Sequence, residues 1–481
     1  MTGGHEIGTH AAGRAEGEPD FVALGSGRRA GSGPMPPTRP SAPPGPESPA
    51  AQFIRHATET RHAPSATRSC PPDTAPVLYR MEAPTKAPDG PGWVPTHRPC
   101  GPKWRSFHVL GGEPNLTGRD AHGPCRGGAA MSGPLYIPVL PARQHATGAF
   151  GRLWPDVRAA IRPLWNLPPL PGAAPQTLTM AVGKYVDPVS AVSRHGGWID
   201  APFGEDAQIA ALAEALSAYC EWGRLRPVTG PGRTGLQQMA AVETARRCRR
   251  GLGVRVRVPG EWDGRHREDV RGLLSRTGPE VPVDLLLDMG AVLDDRPDAG
   301  KEALRALDAL MPLAVWRSAA LLGGAFPRAT AEMLEGGSCE GSRAEWRMWH
   351  EVRATGRAYA PLLRYGDYGV QPPSALGQDP APGRKGGPPW SVLRYTTASS
   401  YLLFKTLTRG PDRIAVNRGA ARRITRLPEF RGAGAGEGEA WLSDCANGPL
   451  STGEGVGGPR EWLRAGNLQH MMYVVRSLPG G

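Results

Sequence analysis

From residue 135 onward, short apolar runs alternate along the chain with stretches whose apolar residues recur at helical spacing. The runs are "LYIPVL" (135–140), "IRPLWNL" (161–167), "WIDAP" (198–202), "RLRPVT" (224–229), "VRVRVP" (254–259), "VDLLLDMG" (283–290), "LAVWRSAAL" (313–321) and "LLRYGDYGV" (362–370). Their lengths and turn-rich flanks predict strands. Between them, "EDAQIAALAEALSAYCEW" and "GKEALRALDALM" repeat apolar residues every three or four positions and carry acids in the first turn, as helices lying on an apolar surface do. Eight strand–helix repeats predict an α/β chain: a (β/α)8 TIM-barrel-like domain, with parallel strands inside a ring of helices. The Pro- and Gly-rich stretch 168–197 has the weakest helical pattern, and an open doubly wound sheet is the alternative arrangement.

Past residue 370 the pattern changes. "QPPSALGQDPAPGRKGGPP" reads as a loop, and "SVLRYTTASSYLLFKT" (391–406) as a β-hairpin turning on its Ala-Ser-Ser. "RGAGAGEGEA" (431–440) has no strand feeding it and no clear helix behind it, so it reads as a flexible loop rather than a phosphate cradle. "REWLRAGNLQHMMYVVRSL" closes the chain as a short helix. The barrel is therefore expected over 131–375, with a C-terminal hairpin-and-helix extension over 376–481 packed on it.

Residues 1–130 lack hydrophobic periodicity and contain 21 Pro and 19 Gly. Such a segment cannot bury enough apolar surface to offset its ordering entropy, so a disordered tract is expected. "PPTRPSAPPGPESP" fits a polyproline ligand or, more simply, part of that structureless tract. Met131 directly precedes the first strand-like run. The codons of Gly127 and Gly128 just upstream would resemble a ribosome-binding site, which marks Met131 as the expected initiator.

The formal net charge of +12, carried mostly by Arg, favours anionic partners, although a GC-rich genome enriches Arg, Gly, Ala and Pro without any function. Seven scattered cysteines without CxxC spacing point to neither a disulfide framework nor a thiolate zinc site, and the twelve histidines show no HxH or HExxH pattern. No apolar run approaches the ~20 residues that span a bilayer, and the N-terminus lacks a secretory pattern. A cytoplasmic protein is expected. No GxSxG motif points to acyl transfer. Trp346 and Trp349, three apart on a helix, read as core packing rather than a base-stacking platform, and His470 reads as a packed histidine.

Several segments resemble the phage and bacterial beta protein family. They run from "YIPVLPARQHATGAFGRL" through "VPVDLLLDMG", "LLGGAFP" and "RAEWRMWHEV" to "LLRYGDYGVQPP", "VLRYTT" and "WLRAGNLQHMMYVV", covering 134–478 and none of the N-terminal tract. The "GDY…P" and "RYTT" pieces, in this order and spacing, are the most specific. Members tend to carry a Lys and a Gly-Glu pair just after the first strand, where this chain has Arg143, Gln144 and His145. The resemblance implies the extent of the domain, not a reaction.

The candidate chemistry comes from strand phase. Side chains of a barrel strand alternate between the bore and the helical layer, and the helix-facing side is expected to be apolar. Val254, Val256 and Val258 then face the helices, and Arg255 and Arg257 face the bore. The same rule sends Arg224, Arg226, Asp284 and Asp288 inward, groups Trp198 with Asp200, and groups Tyr365 with Asp367. Asp200, Arg226, Arg257, Asp288 and Asp367 are expected nearest the C-terminal mouth, where such barrels hold their active sites. Arg226, Arg255 and Arg257 would bind a phosphate or carboxylate of a small molecule. Asp200, Asp288 and Asp367 would orient them, hold Mg²⁺ or act as general base. Arg257 and Asp288 are expected to face each other in one site with Arg226. The alternatives are a core in which each Asp merely neutralises an Arg, and a non-enzymatic phage- or defence-related protein that binds nucleic acid or a protein partner through its basic surface.

Overall fold

The computed structural model describes residues 135–258, 260, 262–377, 387–449 and 453–479. The tract 1–130, with its polyproline-like segment, and Met131 lie outside the described residues. In chain order the strands are β1 (Val139–Pro141), β2 (Leu164–Asn166), β3 (Gly197–Asp200), β4 (Leu225–Thr229), β5 (Leu252–Arg257), β6 (Val283–Ala291), β7 (Ser318–Gly324), β8 (Ser338–Ser342), β9 (Leu363–Asp367), β10 (Trp390–Thr396) and β11 (Ser400–Leu407). Eight of them, all but β8, β10 and β11, form one parallel sheet in sequence order. The sheet curls into a nearly closed barrel. Tyr136 bridges to both Ile161 and Tyr365, and the Ile137 N–H donates to the Tyr365 carbonyl at 2.9 Å. Each of the eight sequence-predicted runs supplies one barrel strand.

Two apolar layers hold this arrangement. The bore is filled by Ile137, Val139, Leu164, Trp198, Val228, Leu286, Ala320 and Leu322, with Tyr368 and Leu376 over them. The opposite faces, including Val254, Val256, Leu285, Leu287 and Leu321, pack against the helices. Helix Pro175–Val192 shows how sequence selects its buried stripe. Leu178, Val182, Val186 and Val189 recur every three to four residues and are all buried, although Pro188 interrupts the backbone hydrogen bonding near its end. This is the stretch in which the sequence pattern is weakest.

The C-terminal part contains the expected hairpin: β10 and β11 pair antiparallel around Thr397–Ser399. Three features differ from expectation. Strand β8 leaves the connection after β7 and pairs with β11, making a three-stranded sheet. Its sequence, "SCEGS", has no hydrophobic alternation because neither face is deeply buried. In addition, a helix does follow the Gly-rich stretch, at Glu437–Asn447, preceded by a 3-10 turn at Ala433–Ala435. Glycine masks its start, yet Glu437 and Glu439 stand in the first turn, where the helix dipole favours acids. The closing helix spans Pro459–Ser477 and is buried on nearly all sides. Cys220 and Cys248 are joined in a disulfide, which their separation of 28 residues gave no reason to expect.

At the barrel's closing seam, β9 presents Gly366 to the bore. A methyl group there would overlap Leu322 and come within 2.5 Å of the Ile137 carbonyl oxygen. Gly366→Ala should therefore lower the unfolding free energy by about 1–3 kcal/mol, the usual cost of overpacking a rigid site. Urea titration of the variant measures it, and an unchanged midpoint would show that the seam adjusts freely.

Candidate functional site

Arg255 crosses the bore, donates four hydrogen bonds and forms ion pairs with two carboxylates. Nε and one terminal nitrogen reach Asp288 Oδ2 at 2.9 and 2.8 Å, and that nitrogen also meets the Tyr368 hydroxyl at 3.0 Å. The other terminal nitrogen donates to Asn166 Oδ1 at 3.1 Å and Asp200 Oδ2 at 2.9 Å. Tyr368 in turn donates to Asp288 Oδ1 at 2.7 Å, and the Gly290 N–H donates to the same oxygen at 2.9 Å. Arg233, in the loop after β4, donates to Asp200 Oδ1 at 2.6 Å. Two buried carboxylates thus meet two guanidiniums. Burial works against ionisation of Asp288, but the adjacent Arg255 charge and the donors from Tyr368 and Gly290 hold it below the usual carboxylate range.

Among the residues singled out from sequence, the structure joins Asp200, Asp288 and Arg255 and separates the other three. Arg257 is the register partner of Asp288, yet it is exposed and makes no ion pair among the described residues. Side chains lean along their strand, so Arg255, two residues earlier, climbs to the level of Asp288, whereas Arg257 starts at the rim and passes beyond it. Arg226 lies at the opposite, N-terminal end. Its guanidinium reaches Asp284 Oδ2 at 3.4 Å and covers the Trp198 ring at 5.1 Å. Strand phase fixes the side of the sheet a residue faces, not its height along the bore. Asp367 points away from the bore, since Gly366 and Tyr368 take the inward positions of that stretch. No group of three His, Cys, Asp or Glu side chains that could hold a metal ion occurs among the described residues.

Asp367 belongs to a second buried network, outside the barrel wall. It accepts from the Tyr136 hydroxyl at 2.5 Å and from the Gly369 N–H at 2.9 Å, and its other oxygen lies 2.9 Å from His470 Nε2. His470 Nδ1 meets Thr396 Oγ1 at 2.9 Å, and Gln469 clamps the Thr396 backbone through both its amide atoms. Beside this group, Glu345 accepts from the Tyr365 and Tyr401 hydroxyls and faces Arg343. Burial pushes the Glu345 carboxyl up, against the pull of Arg343. His470 is thus a packed histidine, as the sequence pattern implied. Trp346 and Trp349 stack on each other and against Tyr365 in the core.

The residue that sequence reasoning passed over is Arg394 of β10. It lines a cavity of about 230 Å³ with Phe326, Arg328, Gln371, Ser374 and Trp390, between the loops after β7 and β9 at the C-terminal mouth. Its only hydrogen bond among the described residues goes to the Val392 carbonyl, Nε has no partner, and the Phe326 ring lies 5.5 Å away. Burial lowers its pKa to about 10. Next to it, His145 Nε2 lies 3.3 Å from Gln371 Oε1. Burial, with Arg143, Arg394 and Arg460 nearby, brings His145 down to about 4 despite the Gln371 bond. One sequence signal marks Arg394: both faces of its hairpin strand are apolar, so a charge on either face needs a partner.

Fold and site together define a (β/α)8 barrel with a charge-paired bore and an antiparallel extension across its C-terminal side. The chain belongs to the Beta protein family, whose family model matches residues 136–476. No curated protein matches it. The segments that carry the family likeness include those of the outer network: "GDY" holds Asp367 and Tyr368, "RYTT" holds Arg394 and Thr396, and "LQHMM" holds Gln469 and His470.

Two predictions follow the charge pattern. Arg255→Met strands Asp288 without a cation and should cost about 3–5 kcal/mol, whereas Arg257→Met should change stability by less than about 0.5 kcal/mol; urea unfolding of both reads the contrast. His145 titrates near 6.5 when unfolded and near 4 when folded, so the unfolded chain binds the extra proton between those values. Stability should be intact above about pH 6.5, fall as pH drops through this window by up to about 3 kcal/mol, and level off below pH 4. His145→Gln should flatten that limb of the stability–pH curve.

Proposed function

We propose that this protein binds a small anionic ligand over the C-terminal mouth of its barrel, with Arg394 as the anchor for the anion. The observation that carries this reading is the Arg394 guanidinium itself: half-buried, facing a cavity, and matched by no carboxylate among the described residues. A buried cation without a counter-ion is costly, and a bound phosphate or carboxylate would remove that cost through paired N–H donors. The surroundings support the same reading. Arg143 and Arg460 raise the local positive potential, and Trp390 and Phe326 offer apolar surface to the remainder of a ligand. The cavity lies at the loops after the seventh and eighth barrel strands, a place where this fold often holds phosphate, although that is an association of folds rather than of this chain. A volume near 230 Å³ favours a compact ligand over a drug-sized one.

In this reading the bore acids are positioning groups. Asp200 and Asp288 are committed to Arg233, Arg255 and Tyr368. They set the shape of the mouth from beneath rather than supplying a free base. Arg257, exposed at the same end of the barrel, is available to a larger anion.

Thermal unfolding with inorganic phosphate, pyrophosphate and ATP tests the proposal. At least one should stabilise the protein, by about 2.7 kcal/mol when present at a hundredfold excess over its Kd. Arg394→Gln should abolish that response, and NMR titration should show the His145 pKa rising in the complex. An equal response from the variant would place the anion elsewhere, and no response from the wild type to any of the three would overturn the reading.

A further inference from the structure

At the N-terminal end of the barrel the charges do not balance. Arg162, Arg224, Arg226, Arg250 and Arg317 stand at or just before the starts of β2, β4, β5 and β7, and the carboxylate among them is Asp284. Asp284 is saturated. It accepts from Trp198 Nε1 at 3.0 Å, Ser318 Oγ at 2.8 Å, Arg226, and both Nε and a terminal nitrogen of Arg317. Gly251, at φ +92°, gives Arg317 its path, because a side chain there would meet the guanidinium at 2.6 Å. Arg162 and Arg250 donate to backbone carbonyls, and neither they nor the exposed Arg224 form an ion pair among the described residues. Arg250 Nε is buried without a partner. The arginines also depress one another: burial lowers Arg226 and Arg162, with Arg317, Arg162 and Arg250 adding to the first and Arg224 to the second.

Beside this cluster stands Trp222, 65% exposed. Its indole is fixed edge-on against Tyr219, with ring centroids 4.4 Å apart, and Tyr219 is itself held by Asp187. The Cys220–Cys248 disulfide staples the loop beneath it, and Arg250 donates to the Glu221 carbonyl at 3.3 Å. A large aromatic thus stands in solvent, packed against one ring, on the turn that leads into Arg224 and meets Arg250.

We infer that this face docks single-stranded nucleic acid, with phosphates on Arg162, Arg224 and Arg250 and a base stacked on Trp222. Unpaired arginines beside one exposed aromatic match a strand whose charged backbone and free bases alternate. An acidic protein segment would satisfy the arginines but would not need the indole. The inference does not rest on the Arg394 pocket, which lies at the opposite end of the barrel.

Fluorescence anisotropy of a labelled 20-nucleotide dT strand, with the full chain at stepped salt, tests it. Affinity should fall with salt. Arg162→Gln with Arg224→Gln should lessen the log–log salt slope by about 1.4, at roughly 0.7 per phosphate contact. Trp222→Ala should weaken binding about tenfold at fixed salt and leave the slope unchanged. Arg394→Gln should bind like the wild type. Circular dichroism confirms that each variant is folded. If no strand binds, or the arginine pair and Trp222→Ala leave affinity untouched, the inference fails. Competition by a poly-glutamate peptide as effective as unlabelled dT, with no effect of Trp222→Ala, would instead assign the face to an acidic protein.

Discussion

The barrel is organised around one requirement: a guanidinium placed in its bore must be matched by acceptors from several strands at once. Arg255 meets it by reaching β2, β3, β6 and the residue after β9 at once. Taking such a charge out of water costs several kcal/mol unless pairing is complete, so these four wall positions cannot vary independently. Asn166, Asp200, Asp288 and Tyr368 are each the short or rigid group that closes one direction. The apolar layer below, from Leu164 and Trp198 to Leu286 and Leu322, keeps water from competing. A bore that could have been filled by valine and leucine alone instead carries a polar plug that ties four of its wall positions together.

A second polar layer does the corresponding work outside the wall. Asp367 and Tyr136 belong to the barrel, Thr396 to the hairpin and His470 to the closing helix, and each depends on the others for its hydrogen bonds. The "GDY" and "RYTT" segments fall here, at the joint between barrel and extension. This layer also explains why β9 breaks the phase rule. The rule assumes an apolar covering layer, and over Asp367 the cover is a histidine backed by a threonine.

The strand count, the strand order and the inward direction of Arg255, Asp200, Asp284 and Asp288 were legible in the alternation of residues. Height along the bore was not. Arg226 and Arg255 obey the same alternation and sit at opposite ends, because alternation has no memory of where a strand begins. The short β8 was invisible, since "SCEGS" gains its place from a partner some sixty residues later rather than from its own hydrophobicity. Arg394 was passed over for a related reason: the two largely apolar faces of its strand mark its charge, but what lies against that charge depends on a second layer that the strand's own residues do not encode. The Cys220–Cys248 bond depends on the C-terminal ends of two helices meeting in space, which spacing along the chain does not encode.

Strand β8 also bears on how the chain can be divided. Its residues leave the wall between the seventh and eighth barrel strands, yet its hydrogen-bonding partner is β11. A barrel separated from the extension would keep β8 as an orphan edge with unpaired backbone groups, and the extension alone would expose the other side of the same gap. Neither part is a transplantable module. The barrel and its extension therefore have reason to melt in one cooperative step, and a shuffling event that brought in the barrel would have had to bring the hairpin with it.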